Sequence, residues 1–265
     1  MRHASAIIDP TAELDTDVSI GPYSMIGPRV QIGTGTRIGP HVVISSDTRI
    51  GRDNRIYQFA SVGEDPQDRK YRGETSQLMI GDRNQIREFC TIHRGTAQDG
   101  GITQIGNDNL LMAYTHIAHD CRIGDQVVMA NGASLGGHVR LEDWVVLGGF
   151  AMVRQFCQIG AHSFAAMGAS IRKDVLPYML VEGAPARLRG INREGLKRRG
   201  FSGAQLSALK QASRLLTSDQ LLTDVIDELV VAARRHSVLQ PLVMFLQSER
   251  RGCSILRKSV VTMSG

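Results

Sequence analysis

Aliphatic residues recur at every sixth position along the first part of the chain. From Ile8 the series runs Leu14, Ile20, Ile26, Ile32, Ile38, Ile44, Ile50, Ile56 and Val62. Glycine follows many of them directly, as at Gly21, Gly27, Gly33, Gly39, Gly51 and Gly63. The series resumes at Ile80, Ile86 and Ile92 and slips by one residue. It returns from Ile105 through Leu111, Ile117, Ile123, Met129, Leu135, Leu141, Leu147, Val153, Ile159 and Ala165 to Ile171. An amphipathic helix would need a period of 3.6 and few glycines. A period of six predicts a parallel β-helix. Short strands of about five residues turn at each corner, and the recurring aliphatic side chain points inward, stacked on its counterpart one coil later.

This pattern resembles the hexapeptide-repeat family, which implies a left-handed parallel β-helix of triangular section. Three hexads then make one coil, so that residues 18 apart stack, with coils about 4.8 Å apart. Two segments break the repeat, "GEDPQDRKYRGETSQLM" (63–79) and the glycine-rich stretch at 93–104. Both are predicted to be loops leaving the prism, where binding groups commonly sit. After Ile171, the segment 176–192 with Pro177 and Pro185 is expected to be a connector. Ser202 with Gln205 fits a capping box, and helical spacing follows in "AQLSALKQASRLL" and "LLTDVIDELVVAARRH". The expected division is a β-helix over 1–190 and a small α-helical C-terminal domain over 191–265, with a loosely ordered tail from Ser254.

Composition adds exclusions. No run of 18 apolar residues is present, so no membrane span is expected, and the first residues lack the apolar core of a signal peptide. The cysteines Cys90, Cys121, Cys157 and Cys253 are scattered without a C-x-x-C pair. That argues against a disulfide framework or zinc knuckle and for a reduced, cytoplasmic protein. The formal net charge of +5 is mild. Its concentration in Arg187, Arg189, Arg193, Lys197, Arg198 and Arg199 suits an acidic partner or a diphosphate. No recognition fold accompanies it, so nucleic acid is not expected.

Registering side chains against the hexads brings distant residues together. Ile117, Leu135 and Val153 are 18 apart. Two positions after each stand His119, Gly137 and Gln155, and three after stand Asp120, His138 and Phe156. His116, His119, His138, Arg154 and Gln155 therefore converge from three coils. Three imidazoles can hold a catalytic metal, as in hexapeptide-repeat carbonic anhydrases. Alternatively one histidine is a general base, its pKa being naturally near the working pH. Gly137 above His119 leaves room and a backbone N–H, which suits oxyanion binding better than metal ligation. No metal site is therefore expected. His3, His41, His93, His162 and His236 read as structural or solvated residues placed elsewhere, and Cys121 as a small buried apolar residue.

Six stretches carry a more specific resemblance: "IYQFASVGEDPQDRKY", "IREFCTIHRGT", "DNLLMAYTHIAHDC", "NGASLGGHV", "RQFCQIGAHS" and "INREGLKRRGF". Together they resemble the UDP-N-acetylglucosamine 3-O-acyltransferase family of lipid A synthesis, over essentially the whole chain. The resemblance implies transfer of an (R)-3-hydroxyacyl group from acyl carrier protein to the sugar 3-hydroxyl. No cofactor is implied beyond the phosphopantetheine that the carrier brings, and the assembly is expected to be a homotrimer. It places the general base at His119, an orienting carboxylate at Asp120 and an oxyanion-binding N–H at Gly137. Adjacent strand residues point to opposite sides, so His119 and Asp120 can touch only at a corner. Substrate contacts fall on Gln67, Asp68, Lys70, His116, His138, Gln155, Asn192, Glu194, Arg198 and Arg199. An acyl-chain ruler falls on Met167. One CH₂ is worth roughly 0.8 kcal/mol, so a methionine filling the end of the channel favours an acyl chain of about ten carbons. Arg154 stands where the family often has histidine, which leaves its role open.

Overall fold

The computed structural model describes residues 1–248. Among the described residues three sheets of nine, eight and ten strands, parallel except for the last pair of the ten-stranded one, form the faces of a left-handed β-helix. Ile8 pairs above Ile26, and Ile26 above Ile44, so the 18-residue stacking holds. It stretches to 30 residues where Val62 meets Ile92 and to 25 where Ile92 meets Ile117, because each interval contains an extra loop.

The strands are shorter than expected. Most are only two residues long, as in Ile7–Ile8 or His116–Ile117, because a corner interrupts every hexad. Besides the aliphatic row, a second inward row of small residues lies two positions earlier. Val18, Ser24, Val30, Thr36 and Val42 open it, all 0% exposed. Polar members bond within the coil, as where Ser24 Oγ donates to the Gly39 carbonyl at 2.7 Å, although among the described residues Asn109 Nδ2 is buried without a partner. Cys90, Cys121 and Cys157 belong to this row and are buried free thiols. Each fully buried aliphatic adds roughly 1.5–3 kcal/mol of apolar transfer, which explains why the aliphatic row tolerates so few exceptions.

The two loops are shorter than expected and leave from one corner. The strands Ser61–Glu64 and Gln77–Ile80 bound the first, and Thr91–His93 and Ile102–Ile105 bound the second. The same corner carries Arg29 and Asp47 before the loops and Asp120, His138 and Phe156 after them, all at positive φ. Both loops therefore lie in line with the turns that hold the histidines.

The segment expected to be a connector is a β-hairpin. Met179–Glu182 extends the ten-stranded sheet in parallel, and Arg187–Ile191 pairs back against it antiparallel. Helices α1 (Arg193–Arg198), α2 (Gly203–Leu216), α3 (Leu222–Ala233) and α4 (Gln240–Gln247) follow. Ser202 caps α2 with the full reciprocal capping box. Leu209, Leu216, Val225, Leu229 and Leu242 are all 0% exposed within this helical cluster. Among the described residues no helix is long and apolar enough to cross a membrane. Cys253 and the tail from Ser254 lie outside the described residues.

Candidate active site

Three stacked strands on the nine-stranded face set the site. His116 pairs with Ser134 and Ser134 with Met152, while Ile117, Leu135 and Val153 stack inside. The turns that follow place Asp120, His138 and Phe156 at φ 60°, 62° and 68°. Residues with a Cβ enter this region only where their surroundings hold them. Here the turn breaks the strand alternation and brings neighbouring side chains together.

His119 Nδ1 donates to Asp120 Oδ2 at 2.7 Å. The carboxylate is 0% exposed. Its Oδ1 accepts the Thr96 N–H at 2.8 Å, and its Oδ2 accepts the Thr96 hydroxyl at 2.7 Å. The Asp120 N–H donates to Thr103 Oγ1 at 2.8 Å. Burial pushes the Asp120 pKa upward, but the bonds from His119 and Thr96 outweigh it and hold the group below the ordinary carboxylate value. An ionised carboxylate only accepts hydrogen bonds, so the proton on neutral His119 sits at Nδ1 and the lone pair at Nε2.

A Cβ placed on Gly137 would lie 2.6 Å from His119 Cε1 and 2.8 Å from Nε2. Only glycine fits over the imidazole. Among the described backbone bonds, the Gly137 carbonyl accepts from Phe156, while its N–H has no backbone acceptor. His138 meets His119 edge to face at 5.1 Å and 90°, and stacks on Phe156 at 4.5 Å. Its Nδ1 lies 3.1 Å from Asp99 Oδ2, and its Nε2 lies 3.7 Å from Asp120 Oδ2.

The remaining expected residues fall into separate groups. His116 Nδ1 bonds Thr91 Oγ1 at 2.7 Å and meets His93 edge to face at 5.2 Å. His93 is therefore not remote from the site, as the hexad register suggested, but buried behind His116. Burial, followed by the proximity of His116, pushes its pKa down to about 4. His162 is half-buried and structural. It stacks on Trp144 and Tyr178, and burial pushes its pKa down to about 4. The cluster with metal-like spacing is His119, Asp120 and His138, whose ligand atoms lie within 4.8 Å. Among the described residues His116 is not part of it, so the alternative of a three-imidazole set does not assemble, and Asp120 already holds Thr96.

Gln155 is exposed, with its backbone against Gly136. In the first loop, the Asp68 carboxylate accepts the Lys70 N–H at 2.9 Å, and Gln67 and Lys70 are exposed. Among the described residues no hydrogen bond joins these three to the histidines. Asn192 caps α1 through Gly195 N–H and donates to the His162 carbonyl at 2.9 Å, so both ends of its amide have structural partners. Arg199 lies over the Trp144 ring at 5.0 Å. With Glu194, Arg198 and the apolar Val146, Phe164 and Leu180, it lines a cleft of ≈ 460 Å³. Met167 is 78% exposed, and Ala165 takes the inward position beside it.

Sequence reasoning missed Thr96, Asp99, Thr103 and Arg94. Arg94, 8% exposed, pairs with Asp65 and donates to the Gly63 carbonyl at 2.8 Å, tying the two loops together. The available signal was that the glycine-rich loop interrupts the corner row just before His119.

The six-residue repeat that builds these coils is that of the bacterial transferase hexapeptide family. The six-repeat model of that family matches residues 11–46 and 102–137. A second family model, described as UDP N-acetylglucosamine O-acyltransferase domain 2, matches residues 174–254. An acyl-[acyl-carrier-protein]–UDP-N-acetylglucosamine O-acyltransferase of Herminiimonas arsenicoxydans is 54% identical over 255 residues, covering 94% of this chain and 97% of that one. The solved UDP-N-acetylglucosamine acyltransferase of Francisella novicida superposes with a TM-score of 0.95 at 40% identity, covering 98% of this chain and 95% of that chain. The O-acyltransferase of Moraxella catarrhalis gives 0.93 at 45%, covering 97% and 99%. The chain belongs to the UDP-N-acetylglucosamine O-acyltransferase family and is an acyltransferase enzyme.

Proposed function

We propose that the chain transfers an (R)-3-hydroxyacyl group from acyl carrier protein to the 3-hydroxyl of UDP-N-acetylglucosamine, the first step of lipid A synthesis, with His119 as general base. The observation that carries this reading is the 2.7 Å bond from His119 Nδ1 to the buried Asp120 carboxylate. An alcohol is a weak nucleophile until a base takes its proton. His119 Nε2 takes that proton as the hydroxyl oxygen attacks the thioester carbonyl, and Asp120 stabilises the imidazolium that forms. The carbonyl π electrons move onto oxygen, and the Gly137 N–H donates a hydrogen bond to the oxyanion that forms. Collapse reforms the carbonyl, breaks the C–S bond and expels the phosphopantetheine thiolate, which takes the proton from His119. No covalent enzyme intermediate and no cofactor beyond the carrier's own arm is needed.

In this reading Gln67, Asp68, Lys70, His116, His138, Gln155, Asn192, Glu194, Arg198 and Arg199 hold the two substrates. Arginine suits the diphosphate because its fork donates two bonds at once. The assembly is a homotrimer. Exposed Ile7, Met25, Val43 and Met152 on the nine-stranded face support this. So does an aromatic edge in which Phe59, Phe89 and Tyr114 stack about 5 Å apart. Apolar patches of this kind mark protein interfaces. Met167 would reach the acyl chain from the exposed side and set its length. The buried free thiols fit a reducing, cytoplasmic setting.

The test is a transfer assay with UDP-N-acetylglucosamine and a panel of acyl carrier protein thioesters. Transfer is expected, with an optimum near ten carbons that lengthens in Met167→Gly. No transfer from any thioester overturns the reaction, and an unchanged optimum overturns the ruler.

A further inference from the structure

The second loop does more than connect two strands. Its short 3₁₀ turn, Ala97–Asp99, begins after Thr96 and ends at Gly100 and Gly101 at φ 82° and 74°. The Thr96 carbonyl accepts the N–H groups of Asp99 at 3.2 Å and Gly101 at 2.9 Å, closing the loop on itself. A Cβ on Gly95 would lie 2.2 Å from the Ile102 nitrogen, so the two ends pass in a contact that only glycine permits. The closed loop is fastened to the catalytic turn by the two bonds from Thr96 to Asp120. Asp99 therefore projects from a fixed platform, not from a free coil.

From that platform the Asp99 carboxylate lies 3.1 Å from His138 Nδ1. Both groups are nearly covered, with side chains 12% and 9% exposed. The contact repeats, one coil further on, what Asp120 does for His119. Each imidazole has its Nδ1 against a carboxylate, from the next residue of the same turn for His119 and from the second loop for His138, and the two rings stand edge to face. A carboxylate accepts and does not donate, so Asp99 holds a proton on His138 Nδ1, while Nε2 faces the buried Asp120 carboxylate at 3.7 Å. The Phe156 ring behind His138, tilted by only 10°, fixes the plane in which Nε2 points.

We propose that Asp99 is a positioning residue for acyl transfer. It orients His138, through Nδ1, beside the His119–Asp120 pair. The proposal rests on the acyl-transfer reading given above, and it adds that the glycine-rich loop sets the alignment of both histidines, through Thr96 for one and Asp99 for the other. Loss of Asp99 leaves the imidazole present but free to change tautomer and tilt. Such a defect lowers turnover more than substrate affinity.

The test compares the parent chain, Asp99→Asn and Asp99→Ala in one transfer assay. It also follows the imidazole nitrogen resonances of His138 in ¹⁵N-histidine-labelled protein. Asp99→Ala is expected to lose about tenfold in kcat, the value of one hydrogen bond to a charged group. The KM for UDP-N-acetylglucosamine should stay within about twofold, and the His138 signals should move toward a mixture of tautomers. Asp99→Asn keeps an acceptor oxygen and is expected to fall between the two. It also serves as the test variant should the alanine form fold poorly. Parental kcat in both variants, an unchanged His138 nitrogen pattern, or a rise in KM alone overturns the assignment. A parent chain that transfers while Asp99→Ala is unaffected removes only this inference. A parent chain that does not transfer removes the acyl-transfer reading itself.

Discussion

The molecule holds two edge-to-face histidine pairs of nearly the same shape. His93 and His116 meet at 5.2 Å and 86°, and His119 and His138 at 5.1 Å and 90°. They differ in what their nitrogens meet. The first pair lies along a sheet face, where, among the described residues, His116 bonds the Thr91 hydroxyl and His93 Nδ1 is buried without a partner. The second pair lies on a corner, where turns and a loop deliver Asp120 and Asp99 to the two Nδ1 atoms. Burial alone drives an imidazole toward its neutral form, as at His93. Burial with a carboxylate at Nδ1 supplies an oriented lone pair at Nε2 and a countercharge for the proton it receives. A base needs the second environment.

Removing that carboxylate should produce the largest effect among the changes that keep both pairs of rings. Asp120→Asn is expected to lower kcat by about a thousandfold, within the usual range for general-base catalysis, measured beside a folding control by circular dichroism. Loss of less than tenfold would erase the distinction between the two pairs. Gly137→Ala comes next. Its Cβ meets the His119 ring at 2.6 Å, so the imidazole must shift by a fraction of an ångström to an ångström, which costs about a hundredfold in rate. Full activity in that variant would show that the ring's place over Gly137 is immaterial.

The smallest effect falls on stability. The unfolded chain takes up a proton on histidine near pH 6.5, whereas folded His93 does so only near 4. The unfolded state thus binds more protons across that window, and stability falls as the pH drops through it. His93→Gln should lessen that slope by about 1.4 kcal/mol per pH unit, one proton's share, in urea unfolding between pH 6 and 5. An unchanged slope would mean that His93 titrates normally and that the sheet-face pair is not the desolvated one.

The regular part of this arrangement was legible in the sequence. Stepping by six and then by 18 places Gly137 over His119 and Phe156 against His138, because each coil repeats the same hydrogen-bonded register. The step of 18 and the three-sheet prism came from the resemblance to the hexapeptide-repeat family, the sequence itself showing the period of six. The irregular part was not legible. His93 escaped because the step from Ile92 to Ile117 is 25 residues, not 18, so counting from the later hexads never reaches it. Thr96 and Asp99 escaped because a loop's reach depends on its closure, which here is set by Gly95, Gly100 and Gly101 and by Thr96's own carbonyl. The small inward row that buries the three cysteines was present in the sequence as Val, Ser, Thr, Asn, Ala and Cys at a constant offset. It carries no hydrophobic signal of its own, since polar residues such as Ser24, Thr36 and Asn54 stand in it among apolar ones. Asn192 shows the reverse case: family resemblance gives it a substrate role, and its position before α1 adds a cap that the resemblance did not supply.

The contact between His119 and Asp120 turns on one backbone conformation, the positive φ of Asp120. In a continuous strand these side chains would point apart. The corner that ends each two-residue strand is therefore also the device that builds the dyad, and the loop stacked beneath it supplies the hydrogen bonds that keep Asp120 ionised.

The most direct test removes each pair's key ring in the same assay. Single-turnover transfer of a ten-carbon 3-hydroxyacyl group from acyl carrier protein to UDP-N-acetylglucosamine is measured for His119→Ala and for His93→Ala, each shown to be folded. Transfer is predicted to vanish in His119→Ala and to persist, reduced, in His93→Ala. Turnover retained by folded His119→Ala would contradict the assignment of His119 as the base.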